Sequence, residues 1–348
     1  MTRFASKKTV RPTPRRLLHS RRWLRGATAL AISVFVLGAS VAAEAPLAVT
    51  PSDAIALLNR IQQAAQRQNY FGTFVHQQGS QVQSSRVTHG VDRSGEHEKL
   101  ELMDGQAREF IRNNDDVRCY MPDSKLVLIE KRARYDTFPA LLTSPPVDLD
   151  QYYRLSIEGT DRIAGRTAQL LVLEARDKKR YGYRLWFDKE SYLLLKAQTI
   201  NEKGVSIEQV AFTNVTIGGT FDASRVRPSA ANTDGWRTET NRMVPVDLAL
   251  AGWSVTEPPP GFRKVMEVRR AFGGREDIGQ MVYSDGLAAI SIFIEPSAPH
   301  DGAEGEASKG PINVVTERYG DFWLTIVGDA PVASIRDMAH QIVFKSAK

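Results

Sequence analysis

The pattern of apolar and polar residues predicts one amphipathic helix near the start of the folded part of the chain. Thr50 and Pro51 are typical of a helix start, because threonine caps the first turn and proline suits the first helical position. The apolar residues that then recur at helical spacing, up to about residue 68, are Ile55, Leu58, Ile61 and Ala65. We therefore predict a helix from about residue 51 that buries one face.

Short runs rich in β-branched and aromatic residues follow this helix, separated by turn residues such as Asp104-Gly105. The strands predicted before residue 220 are Tyr70–Gln77, Ser84–His89, Glu98–Leu102, Arg108–Asn113, Val117–Met121, Lys125–Glu130, Tyr152–Ile157, Thr167–Glu174, Tyr181–Phe187, Tyr192–Thr199 and Ser206–Phe212. Helical patterns do not alternate with these strands, so a parallel sheet of βαβ units is not expected. The pattern favours a mainly β (α+β) fold with a curved antiparallel sheet or half-open barrel.

A polar segment without apolar periodicity, residues 220–241, is interpreted as a linker between two domains. The strands predicted after it are Arg263–Arg270, Gly279–Ser284, Leu287–Glu295, Ile312–Arg318 and Asp321–Val327, and a closing helix is predicted at Val332–Phe344. The predicted domains are therefore a β domain over residues 44–219 and a smaller sheet with a helix over residues 242–348. Residues 1–43 precede them as a separate segment.

The net charge of +6 over 348 residues belongs to that first segment. Nine of the 46 Lys and Arg residues lie in residues 1–43, which hold no Asp or Glu, so 37 basic and 40 acidic residues remain. With 42% hydrophobic and 25% charged residues, the composition is that of an ordinary globular protein. A basic face for nucleic acid is therefore not indicated.

Residues 1–43 have the pattern of an export signal. Basic residues end at Arg25, an apolar stretch covers Ala27–Val41, and Val41-Ala42-Ala43 forms a small-residue cleavage site before Glu44. The apolar stretch is shorter than the roughly 20 residues of a membrane span, although an uncleaved anchor stays an alternative. Ser20-Arg21-Arg22-Trp23-Leu24 partly resembles a twin-arginine signal, so both export routes stay open. We predict a periplasmic location.

The chain has one cysteine, Cys119, so an intramolecular disulfide cannot form even in an oxidising compartment. Cys119 lies in the apolar run Val117–Met121 and is interpreted as a small buried residue. A reactive thiol or an intermolecular bridge is the alternative.

Motifs for catalysis are missing from the sequence. It contains no P-loop, no Gly-rich dinucleotide fingerprint and no nucleophile elbow. His76, His89 and His97 could converge on a sheet, but no histidine pair has a metal-ligand spacing. We predict no enzyme activity, no cofactor and no metal. A hydrolase with a convergent Ser/His/Asp set or carboxylate pair is the weakest alternative.

The aromatic run Arg180–Asp188 is a candidate binding feature. In a strand, Tyr181, Tyr183, Leu185 and Phe187 share one face, and Trp186 lies on the other. The first set is either core or the lining of an apolar cleft in a half-open barrel. Leu185 and Trp186 are kept as lipid-groove candidates with both tyrosines.

A basic and apolar loop ending at Pro145-Pro146 is the second candidate. Lys131, Arg132 and Arg134 are candidates for contacts with lipid phosphates. The apolar residues that follow, and that would cover acyl chains, are Phe138, Leu141 and Leu142. The alternative is a solvated connection with its leucines in the core.

The chain resembles the RseB/MucB family of periplasmic regulators of the envelope-stress sigma factor over nearly all of residues 44–348. The segments that carry the resemblance are Tyr70–Val75, Glu98–Glu101 with Asp104-Gly105, Val117–Pro122, Arg162–Arg166, Arg180–Asp188 with Leu193–Lys196, Glu208-Gln209, Pro259–Phe262 and Tyr283–Leu287. No single segment is decisive, but their order and spacing together are specific.

The resemblance implies an N-terminal domain similar to the LolA/LolB lipoprotein carriers and a smaller C-terminal sheet domain with a helix. It also implies binding to the periplasmic part of a membrane-anchored anti-sigma factor of the RseA or MucA type. That binding would shield the segment from regulated proteolysis, and lipopolysaccharide or another acyl lipid would release it. The family has no catalytic residues to transfer.

Two readings of function are kept. The first is a regulator that binds an anti-sigma factor. The second is a LolA/LolB-type lipid or lipoprotein carrier without a regulatory partner. The partner-binding residues and a homo-oligomer are left open by the sequence.

Overall fold

A large curved sheet forms the first part of the molecule. The computed structural model describes residues 47–48, 50–131, 148–230, 232–272, 275–296 and 303–345. The strands of the first sheet are β1 (Leu47–Ala48), β2 (Tyr70–Gln78), β3 (Gln81–Asp92), β4 (Gly95–Leu102), β5 (Glu109–Asn113), β6 (Asp116–Met121), β7 (Leu126–Lys131), β8 (Tyr153–Ile163), β9 (Arg166–Ala175), β10 (Gly182–Asp188), β11 (Leu194–Ile200), β12 (Ser206–Ile217) and β13 (Arg237–Asn241). Their order is β1-β8-β9-β10-β11-β12-β2-β3-β4-β5-β6-β7-β13, and only β13, beside β7, is parallel to its neighbour in these ranges.

The predicted helix is present as α1, Pro51–Arg67. The hydroxyl oxygen of Thr50 accepts a hydrogen bond from the backbone N–H of Asp53 at 3.2 Å, as expected of an N-cap. Leu58 and Ile61 of α1 share a core cluster with Leu185 of β10. The helix is thus held by its apolar stripe against the first sheet.

The second sheet is smaller. Its strands are β14 (Met243–Pro245), β16 (Arg263–Phe272), β17 (Arg275–Ser284), β18 (Ala289–Pro296), β19 (Gly305–Lys309), β20 (Ile312–Tyr319) and β21 (Phe322–Gly328), in the order β14-β16-β17-β18-β21-β20-β19. One helix, α3 (Val332–His340), packs Ile335 and Met338 into its core. The predicted mainly β class, with a large curved sheet and a smaller sheet carrying a helix, is confirmed.

The predicted end of the closing helix is wrong. The helix ends at His340, and Ile342–Phe344 form β22, which pairs with β15 (Trp253–Val255). Ile342 and Val343 continue the apolar spacing of the helix, which misled the periodicity argument. Their partner strand, β15, lies about 90 residues earlier in the chain, so no local sequence pattern indicates the pairing.

The segment interpreted as a linker has structure of its own. We call residues 220–230 and 232–236 the strap. Phe221 of the strap covers Gly90 of β3, and Trp236 packs on the cluster of Ile111, Tyr120 and Val127. The next residues form β13 in the first sheet. Tyr70 and His89 stack on one face of the first sheet. The strap lies on the other face, across β3–β7, because neighbouring residues of a strand point to opposite faces.

Both sheets belong to one compact unit. A one-turn helix, α2 (Leu149–Tyr152), precedes β8 at the place where the sheets meet. Within the described ranges, no helix has the length and apolar character needed to cross a membrane.

Candidate functional site

Of the lipid-groove candidates in β10, Leu185 and Trp186 are buried in the core, whereas Tyr183 also lines a cleft beside β9. Leu185 is fully buried with α1, and Tyr183 is half-buried at the margin of the same cluster. Trp186 is 6% exposed and belongs to a different cluster, with Leu193 and Leu195. The structure therefore does not bring Leu185 and Trp186 together, and a lipid role for these residues stays a prediction.

Two further contacts explain how Trp186 is held. Its indole N–H donates to Oδ2 of Asp161 at 2.6 Å. Nζ of Lys196 lies 4.4 Å from its ring centroid, a cation–π distance. These contacts satisfy the polar edge of the ring while its apolar part stays buried.

The basic and apolar loop that held the other groove and headgroup candidates lies outside the described residues. Lys131 ends β7, and its side chain lies outside the described residues. The others that lie outside the described residues are Arg132, Arg134, Phe138, Leu141 and Leu142.

Tyr181 lies where the two sheets meet, and it is 6% exposed. Its hydroxyl oxygen accepts a hydrogen bond from Nδ2 of Asn313 in β20 at 3.0 Å. The same amide nitrogen donates to the carbonyl oxygen of Ala330 at 2.8 Å. Tyr181 is thus part of the contact between sheets, a role that the alternation of the aromatic run did not indicate.

The centre of this contact, which we call the junction, is the ion pair of Arg180 and Asp285. Arg180 lies in the turn between β9 and β10, and Asp285 lies in the turn between β17 and β18. Nη1 of Arg180 donates to Oδ2 of Asp285 at 2.6 Å, and both side chains are 0% exposed. Nη2 of Arg180 also donates to the carbonyl oxygen of Pro260.

The carboxylate of Asp285 is saturated with donors. Oδ2 also accepts from the hydroxyl of Tyr153 at 3.1 Å, and Oδ1 accepts the backbone N–H groups of Leu287 and Ala288 at 3.0 and 2.8 Å. A buried ion pair persists only when its remaining polar atoms are paired in this way. Both carboxylate oxygens of Asp285 are therefore paired inside the junction.

The pKa values at the junction follow from burial and charge. Burial opposes the charged form of Arg180, but Asp177 and Asp285 outweigh it, and the pKa of the guanidinium lies above its usual value. Burial, followed by the Asp285 carboxylate, raises the pKa of the Tyr153 hydroxyl well above its usual value. The charge of Arg180 and the proton of Tyr153 are thus both fixed at neutral pH.

Aromatic rings and a tight glycine complete the junction. The guanidinium carbon of Arg180 lies 4.4 Å from the ring centroid of Tyr152 and 5.6 Å from that of Phe262. A Cβ at Gly261, where φ is +86°, would lie 2.7 Å from the Tyr152 ring. Only glycine fits this close approach.

Weaker pairs surround the junction. Lys179 pairs with Asp337 of α3, and Oγ of Ser334 donates to the carbonyl oxygen of Lys179 at 2.8 Å. Exposed Arg263 pairs with Asp148 at 2.5 Å. Between two other strands, Arg270 of β16 pairs with Glu130 of β7 at 3.0 Å. The two sheets are thus connected at several separate points.

An apolar hollow lies elsewhere on the first sheet, and we call it the β5–β7 hollow. Phe110, Cys119 and Leu128 face one another across β5, β6 and β7 as register partners. The hollow has a volume of about 170 Å³, and Arg108 and Glu130 are among its lining residues. Sequence reasoning missed it as a site, although it did predict that Cys119 is buried, and the 7% exposure confirms this.

One group of side chains superficially resembles a catalytic triad. Nε2 of His97 lies 2.9 Å from Oγ of Ser94, but it also lies 3.1 Å from Oδ1 of Asp92. The Ser94 hydroxyl donates to that same carboxylate oxygen at 2.6 Å. In a triad, the acid contacts the other imidazole nitrogen and the hydroxyl proton faces the base. The group is therefore a hydrogen-bonded turn, and it holds the pKa of Asp92 at about 2.

Among the described residues, no group of three or more His, Cys, Asp or Glu side chains is arranged to hold a metal ion.

Comparison with known proteins matches both parts of the chain to one family. The sequence model of the MucB/RseB N-terminal domain matches residues 53–230, and that of the MucB/RseB C-terminal domain matches residues 247–343. The sigma factor AlgU regulatory protein MucB of Pseudomonas aeruginosa is 29% identical over 324 residues, which cover 89% of this chain and 96% of that protein. The sigma-E factor regulatory protein RseB of Escherichia coli K12 is 27% identical over 296 residues, covering 84% and 91%.

Solved structures give the same result. A complex structure of Pseudomonas aeruginosa MucA/MucB matches with a TM-score of 0.66 and 26% identity, covering 85% of this chain and 100% of that one. A crystal structure of MucB in complex with MucA(peri) matches with a TM-score of 0.64 at the same identity, covering 84% and 99%. Arg180 and Asp285, which meet at the junction, come from two of the segments that carried the resemblance in sequence. The chain belongs to the MucB/RseB family.

Proposed function

We propose that this chain is a negative regulator of an envelope-stress sigma factor, and that it binds the periplasmic segment of an anti-sigma factor of the MucA or RseA type. Both family domains are matched in order over most of the chain, and this is the observation that carries the proposal. The names of the relatives describe sigma factor regulatory proteins. The solved MucB structures include complexes with MucA.

Binding would act by steric protection. An anti-sigma segment without stable structure is a ready substrate for a protease, and it becomes a poor one when a folded protein holds it. A flexible segment loses conformational entropy when it binds, so its affinity can be moderate and its release reversible. The relatives are regulators by name, and catalysis is therefore no part of the proposal.

Release by lipopolysaccharide or another acyl lipid is the second part of the proposal. A lipid can release the segment only if it binds the unoccupied protein more tightly than the complex. Competition between the lipid and the segment is therefore the quantity to measure.

The location follows from the same assignment. A partner segment in the periplasm requires an exported regulator, and the basic and apolar pattern of residues 1–43 suits an export signal.

Calorimetry of the protein with the periplasmic segment of its cognate anti-sigma factor tests the proposal. We expect micromolar or tighter binding that weakens when lipopolysaccharide is added. Protease protection of the segment should follow the fraction bound. Absence of binding to the segment would reject the regulator.

A lipid or lipoprotein carrier is the second candidate function, and the β5–β7 hollow is the observation that favours it. Its volume of about 170 Å³ is below the roughly 300–1,000 Å³ of ordinary small-molecule sites. The carrier therefore has the weaker support. It predicts binding of acyl ligands with no affinity for the anti-sigma segment, which the same calorimetry distinguishes.

A further inference from the structure

A polar groove separates the tip of the β2–β3 hairpin from the turn between β19 and β20, and we call it the hairpin groove. It has a volume of about 520 Å³. Its lining residues are His76, Gln78, Gln81, Val82, Gln83, Asp104, Gly105 and Lys309. Lys309 belongs to the second sheet, and the other residues lie in β2, in β3 or in the turn between β4 and β5 of the first sheet, so the groove lies between the two sheets.

The two walls of the hairpin groove touch at one end. A Cβ at Gly310 would lie 2.3 Å from Cγ of Gln78, so the turn of the second sheet rests against the hairpin of the first. Gly310 has a φ of +56°, in the left-handed region that glycine adopts readily. The backbone of Gly310 thus packs on the side chain of Gln78 and closes the groove at this end.

The first wall of the groove carries an open strand edge. The β3–β4 ladder begins at Ser85 and Leu102, so Gln81–Ser84 extend beyond β4. The carbonyl oxygen of Ser84 still accepts from the N–H of Met103 at 2.9 Å, and the N–H of Ser84 donates to Oδ2 of Asp104 at 2.6 Å. Ser84 is therefore satisfied on the side away from β2.

Val82 has the same orientation as Ser84, because backbone groups alternate along an antiparallel strand. Its N–H and C=O point away from β2, and no described residue is paired with them on that side. Val82 is 59% exposed. One strand-type donor and one acceptor are therefore available at the groove.

The side chains beside this edge also suit a peptide. Within the described part of the chain, the amides of Gln78, Gln81 and Gln83 make no side-chain hydrogen bond. Three uncommitted amides and the ammonium of Lys309 can bind peptide groups, whereas an acyl chain would leave them unpaired. The polarity of the lining thus favours an extended peptide over a lipid.

We infer that the hairpin groove binds the anti-sigma segment in an extended conformation. The backbone of the segment pairs with Val82, and the ammonium of Lys309 contacts the segment from the opposite wall of the groove. The part of the overhang that is still open, Gln81–Gln83, spans about 10 Å, which is enough for one residue of an added strand to pair with both backbone groups of Val82. Strand addition to an open edge is a common mode of peptide recognition. This inference rests on the proposed function and names the surface that performs it.

The test compares Val82→Pro with Val82→Ala in the full chain, using a synthetic peptide of the cognate periplasmic segment. Proline removes the N–H that faces the groove but no hydrogen bond to β2, and edge strands tolerate it. We expect binding about tenfold weaker for Val82→Pro, from one lost hydrogen bond and the clash of the ring with the added strand. Val82→Ala keeps the backbone and should bind within about twofold of the unchanged protein.

A double variant covers the case in which Val82→Pro does not fold. Gln81→Ala with Gln83→Ala removes two amides without touching the backbone and should weaken binding several-fold. Gln63→Ala, an exposed glutamine on α1, is the matched control and should have no effect. Hydrogen exchange should show protection of the Val82 amide in the complex.

The outcomes separate this inference from the function on which it rests. If the unchanged protein binds no peptide, both are wrong. If it binds, and neither the Val82→Pro nor the double variant weakens binding, the hairpin groove is wrong and the regulator stands. A dimer that Val82→Pro dissociates without changing peptide affinity would assign the edge to a second copy of the chain and overturn the inference.

Discussion

At the scale of single residues, the acids Asp285 and Asp329 differ in how many groups compensate their charge. Asp285 is paired with Arg180 and receives three more hydrogen bonds. Asp329, at the end of β21, accepts the N–H of Ala289 at 2.6 Å. The pKa of Asp329 is raised to about 7, mainly by burial. The hydrogen bond from the N–H of Ala289 lowers this pKa, and the negative charges of Asp285 and Glu208 raise it further. Asp329 is therefore a group that titrates near neutral pH.

Asp329→Asn should flatten the pH dependence of stability. The unfolded chain releases this proton near pH 3.8, whereas the folded protein holds it up to about pH 7. The free energy of unfolding therefore falls as the pH rises through that window, and the contribution is lost above it. Asparagine keeps the acceptor for Ala289 and removes the titration.

Urea unfolding at pH 5 and pH 8 measures this effect. We expect the unchanged protein to lose more stability between the two values than Asp329→Asn does. All other titrating groups are common to both proteins, so their contributions cancel in the comparison. Parallel pH profiles would show that Asp329 has an ordinary pKa.

At the scale of elements, the strap shows how a segment without regular spacing is held in place. Its apolar residues Phe221, Val226 and Trp236 have no regular spacing, so neither a helical nor a strand period reveals them. Each nevertheless has a defined place: Phe221 stacks on His97 with 5.4 Å between ring centroids, and Val226 is 8% exposed. An irregular segment is held by scattered anchors that only the tertiary structure supplies.

Gly90→Ala should displace the strap. A Cβ at Gly90 would lie 1.9 Å from Cδ2 of Phe221, so the ring must move. Overpacking of this kind costs about 1–3 kcal/mol in the free energy of unfolding. Gly159→Ala in β8 is the matched control, because its Cβ would meet nothing within 4 Å and its φ is not positive.

A double variant identifies the cause of the loss. In a protein that already carries Phe221→Ala, Gly90→Ala should have little further effect, because residues in contact are not additive. Urea unfolding of the four proteins gives the coupling. Additive losses would mean that Gly90 acts through its own strand and not through the strap.

The elements that the sequence predicted share one property: their signals are local. Thr50 and Pro51 mark the start of α1, and the alternation in β2 and β10 marks strands that the structure contains. The signals that failed involve distant partners. Ile342 and Val343 joined a strand pair with β15, and Tyr181 turned toward Asn313 of the second sheet. Arg180 and Asp285 were both noted in sequence, but 105 residues separate them, and no spacing rule pairs them.

At the scale of the whole molecule, the junction decides whether the two sheets act as one body. The ion pair of Arg180 and Asp285 is fully buried, whereas the pair of Arg263 and Asp148 is exposed, at 57% and 40%. The peptide site that we infer between the two sheets requires a fixed distance between them. The buried pair provides that constraint, since its geometry cannot relax without exposing or unpairing a charge.

Asp285→Asn should therefore destabilise the whole protein far more than Asp148→Asn. The first change leaves the buried guanidinium of Arg180 with Asp177 as its remaining acid, and the loss of one partner of such a pair costs about 3 kcal/mol or more. The second change removes an exposed pair worth at most about 1 kcal/mol, and asparagine tolerates the left-handed backbone at position 148, where φ is 57°. Scanning calorimetry of the three proteins makes the comparison. A large loss of stability for Asp285→Asn, with separate melting of the two sheets, would show that the junction makes them unfold together. Equal small losses of stability for both variants would mean that the surrounding contacts do so instead.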